Sequence, residues 1–120
     1  MTEIAYKYIN DTFNIPNFRS LIDIMTFNNG INAFYVDGTP VLRAGYGIRI
    51  KYIDKNGRCR CVTGYGNVMF FGIEDPCDVI ISLGNESDIS ICATTLKIRN
   101  KITVLTDNTP AQTIQKKTAK

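Results

Sequence analysis

Histidine is absent from this sequence, and with it go the commonest general base, the usual activator of serine and cysteine nucleophiles and the commonest metal ligand. Ser-His-Asp and Cys-His mechanisms are excluded outright. Phosphate-cradling glycine motifs are missing too: "GYGNVMFFG" has the glycines, but it sits on a strand leaving a hairpin instead of between a strand and a helix. No apolar run is long enough to span a bilayer, the longest being Val68 to Ile73 with Gly72 inside it. The opening "MTEIAYKYIN" lacks the charged start and apolar stretch of a secretory signal, so the protein is expected to stay in the cytoplasm where it is made, with its thiols reduced.

Four cysteines are present, Cys59, Cys61, Cys77 and Cys92. Their spacing, one C-x-C and two lone residues, does not follow the paired C-x2-C pattern of zinc sites, so no metal is assigned. They are expected to be buried core thiols, free cysteine being among the most buried residue types. Acidic residues gather in "IEDPCD" (Glu74, Asp75, Asp78) and at Glu86 and Asp88. These read as turn formers with solvated charges rather than a catalytic pair or calcium loop. No catalytic residue and no cofactor is assigned.

What is present suits β-structure. Seventeen isoleucines favour a pleated, half-buried surface, and turn signals recur at Asp37-Gly38, Asn56-Gly57, Gly84-Asn85 and Asn100-Lys101. Residues 3 to 9 read as a first strand. In "NFRSLIDIMTFNNG", Phe18, Leu21, Ile22 and Met25 recur at helical spacing, with Asn17 as cap and Asn29-Gly30 as stop, so one short helix is expected near residues 17–28. The fold class expected is mainly β: an antiparallel β-sandwich or partly open barrel carrying that helix, as a single domain over residues 1–109. A polar, basic tail follows at 110–120, with Ile114, Lys116 and Lys117 as candidate docking residues.

A second hairpin is expected over 78–93. There the shared faces of Val79, Ile81, Leu83 and of Ile89, Ile91, Ala93 require an odd loop around "GNESD".

Lys and Arg exceed Asp and Glu by three, and three of the lysines, Lys116, Lys117 and Lys120, lie in the tail. Any attraction for anions in the folded body must therefore come from arrangement of charge. "GYGIRIKYIDKNGRCRCVTGYG", residues 45–66, offers one. A two-residue type I′ turn at Asn56-Gly57 pairs Lys55 with Arg58, Ile53 with Arg60, Lys51 with Val62 and Arg49 with Gly64. Arg49, Lys51, Lys55, Arg58 and Arg60 then share one face, while Tyr52, Cys59, Cys61 and Tyr65 go to the other. Three uses for such a top are open: a solvated face that discourages edge pairing, a protein neighbour, or nucleic acid.

By elimination the expected function is non-enzymatic: a structural, assembly protein of a virion, such as a bacteriophage capsid-decoration, accessory or fibre/tail component. It would act through protein–protein contacts as a homo-oligomer or on capsid and tail proteins. The alternative is a small nucleic-acid-binding β module using the cationic hairpin 48–65, with Tyr46 or Phe70 as the aromatic beside it.

Overall fold

The computed structural model describes residues 2–106, and Ile114, Lys116 and Lys117 lie outside the described residues. Seven strands fill most of that span: β1 (Thr2–Asn14), β2 (Phe18–Val36), β3 (Thr39–Asp54), β4 (Cys59–Phe71), β5 (Asp78–Leu83), β6 (Ile89–Cys92) and β7 (Thr95–Thr106). They form two antiparallel sheets. One, the meander sheet, has the order β2-β3-β4; the other, the terminal sheet, centres on β7, with β1 on one side and β5 and β6 on the other.

In the meander sheet the period-2 pattern of β3 sets the faces. Leu42, Ala44, Tyr46, Ile48, Ile50 and Tyr52 are buried, while Arg43, Arg49 and Lys51 between them are exposed. β7 has the same pattern: Leu96, Ile98, Ile102 and Val104 are buried and Lys97 and Arg99 face water. The two apolar faces share one cluster, in which each fully buried aliphatic side chain contributes about 1.5–3 kcal/mol. Between them Tyr46 Oη donates to the Asp11 carboxylate at 3.1 Å, and Lys7 Nζ donates to the Met69 carbonyl at 2.7 Å.

The expected helix at 17–28 is a strand. Pairing of β2 with β3 is interrupted by irregularities between Phe18 and Ser20, Leu21 and Asp23, and Asn28 and Ile31. Each places an extra residue in β2, so the core-side positions Phe18, Leu21 and Ile24 fall three apart instead of two. That spacing imitates one helical face. Ile22 and Met25, which a helix would bury, are exposed. Asn29-Gly30, expected as a helix stop, is the third irregularity, with Gly30 at φ 97°.

Of the turn expectations one holds and two change. Asp37-Gly38 closes β2 onto β3 with φ 49° and 80°, the two positive values a type I′ turn requires. Asn100-Lys101 is no turn: Asn100 is 1% exposed in the middle of β7, because the flanking apolar alternation continues straight through it. The hairpin expected at 78–93 is likewise redrawn. β5 and β6 do not pair with each other; both pair with β7, and the chain reverses at Ala93-Thr94. "GNESD" is an excursion within one interrupted strand, closed by a capping box in which Asn85 accepts from Ser87 N and Asp88 accepts from Asn85 N. Val79 and Ile81 still share the core side with Ile89, as their shared parity demands.

The described residues measure 67 × 33 × 20 Å, with a radius of gyration of 18.6 Å, against about 13 Å for a compact domain of 100 residues. Long strands explain the shape. A 19-residue strand at about 3.4 Å per residue is about 65 Å long, and the β2-β3 hairpin runs out to its Asp37-Gly38 tip, where Tyr35 is 73% exposed.

Candidate functional site

The hairpin of β3 and β4 holds the five cations singled out in the sequence, and its turn sends them to different places. Asp54 N donates to the Arg58 carbonyl at 2.8 Å and Gly57 N donates to the Asp54 carbonyl at 2.9 Å. Gly57 alone in the turn takes positive φ, 79°. This is a three-residue loop, a type I turn followed by a left-handed glycine, in place of the two-residue type I′ turn expected. Asp54 selects it: its buried carboxylate accepts from Asn56 N and Arg58 N at 2.9 Å and from Arg60 Nε at 2.8 Å.

One extra loop residue slips the register by one, and a slip of one exchanges the faces of β4. Ile53 now pairs with Cys59, Tyr52 with Arg60, Lys51 with Cys61 and Arg49 with Thr63. The single cationic face is therefore corrected. Arg49 and Lys51 lie on the outer face, Lys55 and Arg58 lie in the turn region, and Arg60 lies on the core side, where it meets Asp54. Asp23 is the register partner of Lys51 and offsets part of its charge. The cysteine expectation is corrected with it: Cys59 and Cys61 are on the outer face, and Cys77 and Cys92 are exposed as well. Among the described residues no three Cys, Asp or Glu side chains gather in a way that could hold a metal ion.

Three groups have displaced acidities, Asp54, Tyr46 and Arg60, the last raised first by its hydrogen bond to Asp54. Backbone donation from Arg58, then the hydrogen bond from Arg60, holds the Asp54 carboxyl below its ordinary 3.8. A carboxyl so lowered contributes stability that is fully present above about pH 5 and is lost as pH falls below 3.8 toward its folded value. Asp54→Ala is accordingly expected to melt lower than the wild type at neutral pH, with the gap closing on acidification. A gap that stays constant in a series of thermal melts from neutral pH to pH 2 would refute that role. Tyr46 is pushed up to about 12, first by burial and then by the neighbouring Asp11 carboxylate, which also accepts its hydroxyl proton.

In the two Gly-Tyr-Gly triplets an aromatic ring stands where a side chain would go at three of the four glycines, Gly47, Gly64 and Gly66. A Cβ added at Gly66 would stand 2.5 Å from the Tyr46 hydroxyl, and one added at Gly64 would stand 2.7 Å from the Phe13 ring. On the outer face Phe27 covers Gly47 and meets Tyr65 edge-on at 6.2 Å between centroids. Beside Tyr65 a shallow open groove of about 420 Å³ is lined by Asn29, Asn32, Arg43 and Asn67.

Further along the outer face of the meander sheet, Phe34, Val41 and Phe71 form one cross-strand row. Val41 is buried within it, while Phe71 is 63% exposed and Met69 and Val36 lie open nearby. This apolar end of the molecule is not legible in the sequence, because its row joins residues of three strands whose mutual register no single stretch of sequence states.

A second surface was also missed. On the outer face of the terminal sheet, Tyr6 and Tyr8 of β1 lie across from Thr103 and Lys101 of β7. The Arg99 guanidinium sits 4.1 Å above the Tyr8 ring and Lys101 Nζ 4.6 Å above the Tyr6 ring. The signal was legible in each strand, as Tyr-x-Tyr in "AYKYIN" and Lys-x-Arg-x-Lys in "LKIRNKI". What joins them is the β1–β7 pairing across almost the whole chain. Nothing in the sequence or in this fold leads to a named relative: no family model, no curated protein and no solved structure matches the chain.

Proposed function

We propose that this protein is a non-enzymatic assembly subunit, such as an accessory, decoration or tail component of a bacteriophage virion, which docks through the apolar end of its β2-β3-β4 sheet. In this reading the two sheets pack as a sandwich with open edges, and the projecting hairpin is the arm that reaches a neighbour. The observation that carries it is the row Phe34, Val41 and Phe71 together with Val36 and Met69. Contiguous apolar surface on a sheet face marks an interaction site, and it adjoins two long edge strands, β2 and β4, whose free backbone groups favour pairing with another chain. A second copy of the chain is the neighbour assigned, since like subunits repeated by symmetry need one such surface each.

The test is size-exclusion chromatography with light scattering across a wide concentration range. The wild type is expected to run well above its monomer mass of 13.4 kDa, with mass rising as concentration rises. Val36→Lys/Phe71→Lys, both at exposed positions of that face, is expected to run as a monomer with an unchanged melting temperature. A wild type that stays monomeric throughout, or a double variant that still associates, overturns the reading.

A further inference from the structure

We infer that the outer face of the terminal sheet is a binding site for single-stranded nucleic acid, with Tyr6, Tyr8, Lys97, Arg99 and Lys101 as the contacting residues. It is a different surface from the assembly face and stands or falls independently of it.

Lys97, Arg99 and Lys101 occupy alternate positions of β7 and so point to one side. At about 3.4 Å per residue they stand about 7 Å apart, forming a row of cations along which an extended phosphate backbone can run. Tyr6 and Tyr8 lie beside that row on β1, about half exposed and edge-to-face at 5.7 Å between centroids. Arg99 over Tyr8 and Lys101 over Tyr6 tie the two rows together. The result is a flat sheet with charge for phosphates and π-faces, from tyrosine and from the guanidinium plane, for bases. A duplex groove admits a two-stranded ribbon, whereas this face is made by β1, β7 and the strands beyond it, so a flexible single strand fits it better.

Glu3, Asp78 and Asp88 border the face. Glu3 lies 3.6 Å from Lys101, and the Asp88 carboxylate accepts from Asn85 N in its capping box. An open groove of about 300 Å³ lined by Asn10, Asp88, Ser90, Lys97 and Arg99 lies beside the cation row. An acidic protein would use the cations but has no use for two rings aligned with them, which is why nucleic acid is the occupant assigned.

The experiment is fluorescence anisotropy of the full chain with labelled oligothymidylate and, separately, labelled poly-glutamate. Three phosphate contacts give a slope of log K against log salt of about −2.1 for a single strand, so affinity is expected to fall about 18-fold between about 50 and 200 mM salt. Tyr8→Ala should weaken oligothymidylate binding about 5- to 150-fold, the loss of one stacked base. Lys97→Gln/Arg99→Gln/Lys101→Gln should remove most of the affinity and flatten the salt slope. The tail lysines are retained in every variant, so differences between variants report this face alone. Circular dichroism melts of each variant exclude unfolding as the cause. No binding of oligothymidylate at the lower salt, a triple variant that binds like the wild type, or poly-glutamate binding as tightly as the oligonucleotide and unaffected by Tyr8→Ala would each overturn the inference.

Discussion

Gly45→Ala is expected to lower the melting temperature by about 12 °C. At this position of β3 the Asn29–Gly30 irregularity of β2 passes directly over the strand, and an added Cβ would stand 2.5 Å from the Asn29 carbonyl oxygen and 3.3 Å from that of Gly30. Both obstacles are backbone, so no rotamer change relieves them. Overpacking of this kind costs about 3 kcal/mol at the upper end of its usual range, and a domain of this size loses about 4 °C per kcal/mol. Gly47→Ala is the informative companion. There the Cβ would meet the far end of the Phe27 ring, which can swing outward, so the loss should be smaller. A Gly45→Ala protein melting within about 2 °C of the wild type would mean that the Asn29–Gly30 irregularity does not lie against Gly45 as described.

Asn100→Leu is expected to act in the opposite direction, raising stability by about 1–3 kcal/mol. Asn100 is 1% exposed in the central strand of the terminal sheet, and among the described residues neither its amide nitrogen nor its amide oxygen finds a hydrogen-bond partner. Its neighbours across the strands are Ile9 and Leu83, both packed against the core. Leucine removes two desolvated polar atoms at similar volume and extends an existing apolar row. Chemical denaturation with the slope unchanged between variants is the measurement. An Asn100→Leu protein less stable than the wild type would show that the amide is satisfied in solution and would remove the argument.

The strands were legible in part. β3 alternates cleanly and Asp37-Gly38 has the chemistry of the turn it makes, whereas β7 alternates too but the turn composition of Asn100-Lys101 hid its continuity. β2 was not legible, because bulges move core positions from every second residue to every third, and three-residue spacing over a short segment is also what a helix face looks like. The candidate site on the β3-β4 hairpin failed for a related reason. Asn56-Gly57 has the composition of a two-residue turn, yet the buried Asp54 carboxylate, with donors at Asn56, Arg58 and Arg60, stabilises a loop one residue longer. Composition at the tip of a hairpin states that a turn exists; the hydrogen bonds around it set its length, and its length sets the face of every side chain that follows.

By itself the sequence determined the period of most strands, the positions where the chain could reverse, and the exclusion of histidine-dependent catalysis, since each follows from local residue chemistry. The tertiary structure alone decided which surfaces exist. Tyr6 and Tyr8 meet Arg99 and Lys101 because the first strand pairs with the last, and Phe34 and Phe71 align on either side of Val41 because β3 lies between their strands. Those encounters depend on pairings between residues far apart in the chain, which no local periodicity encodes.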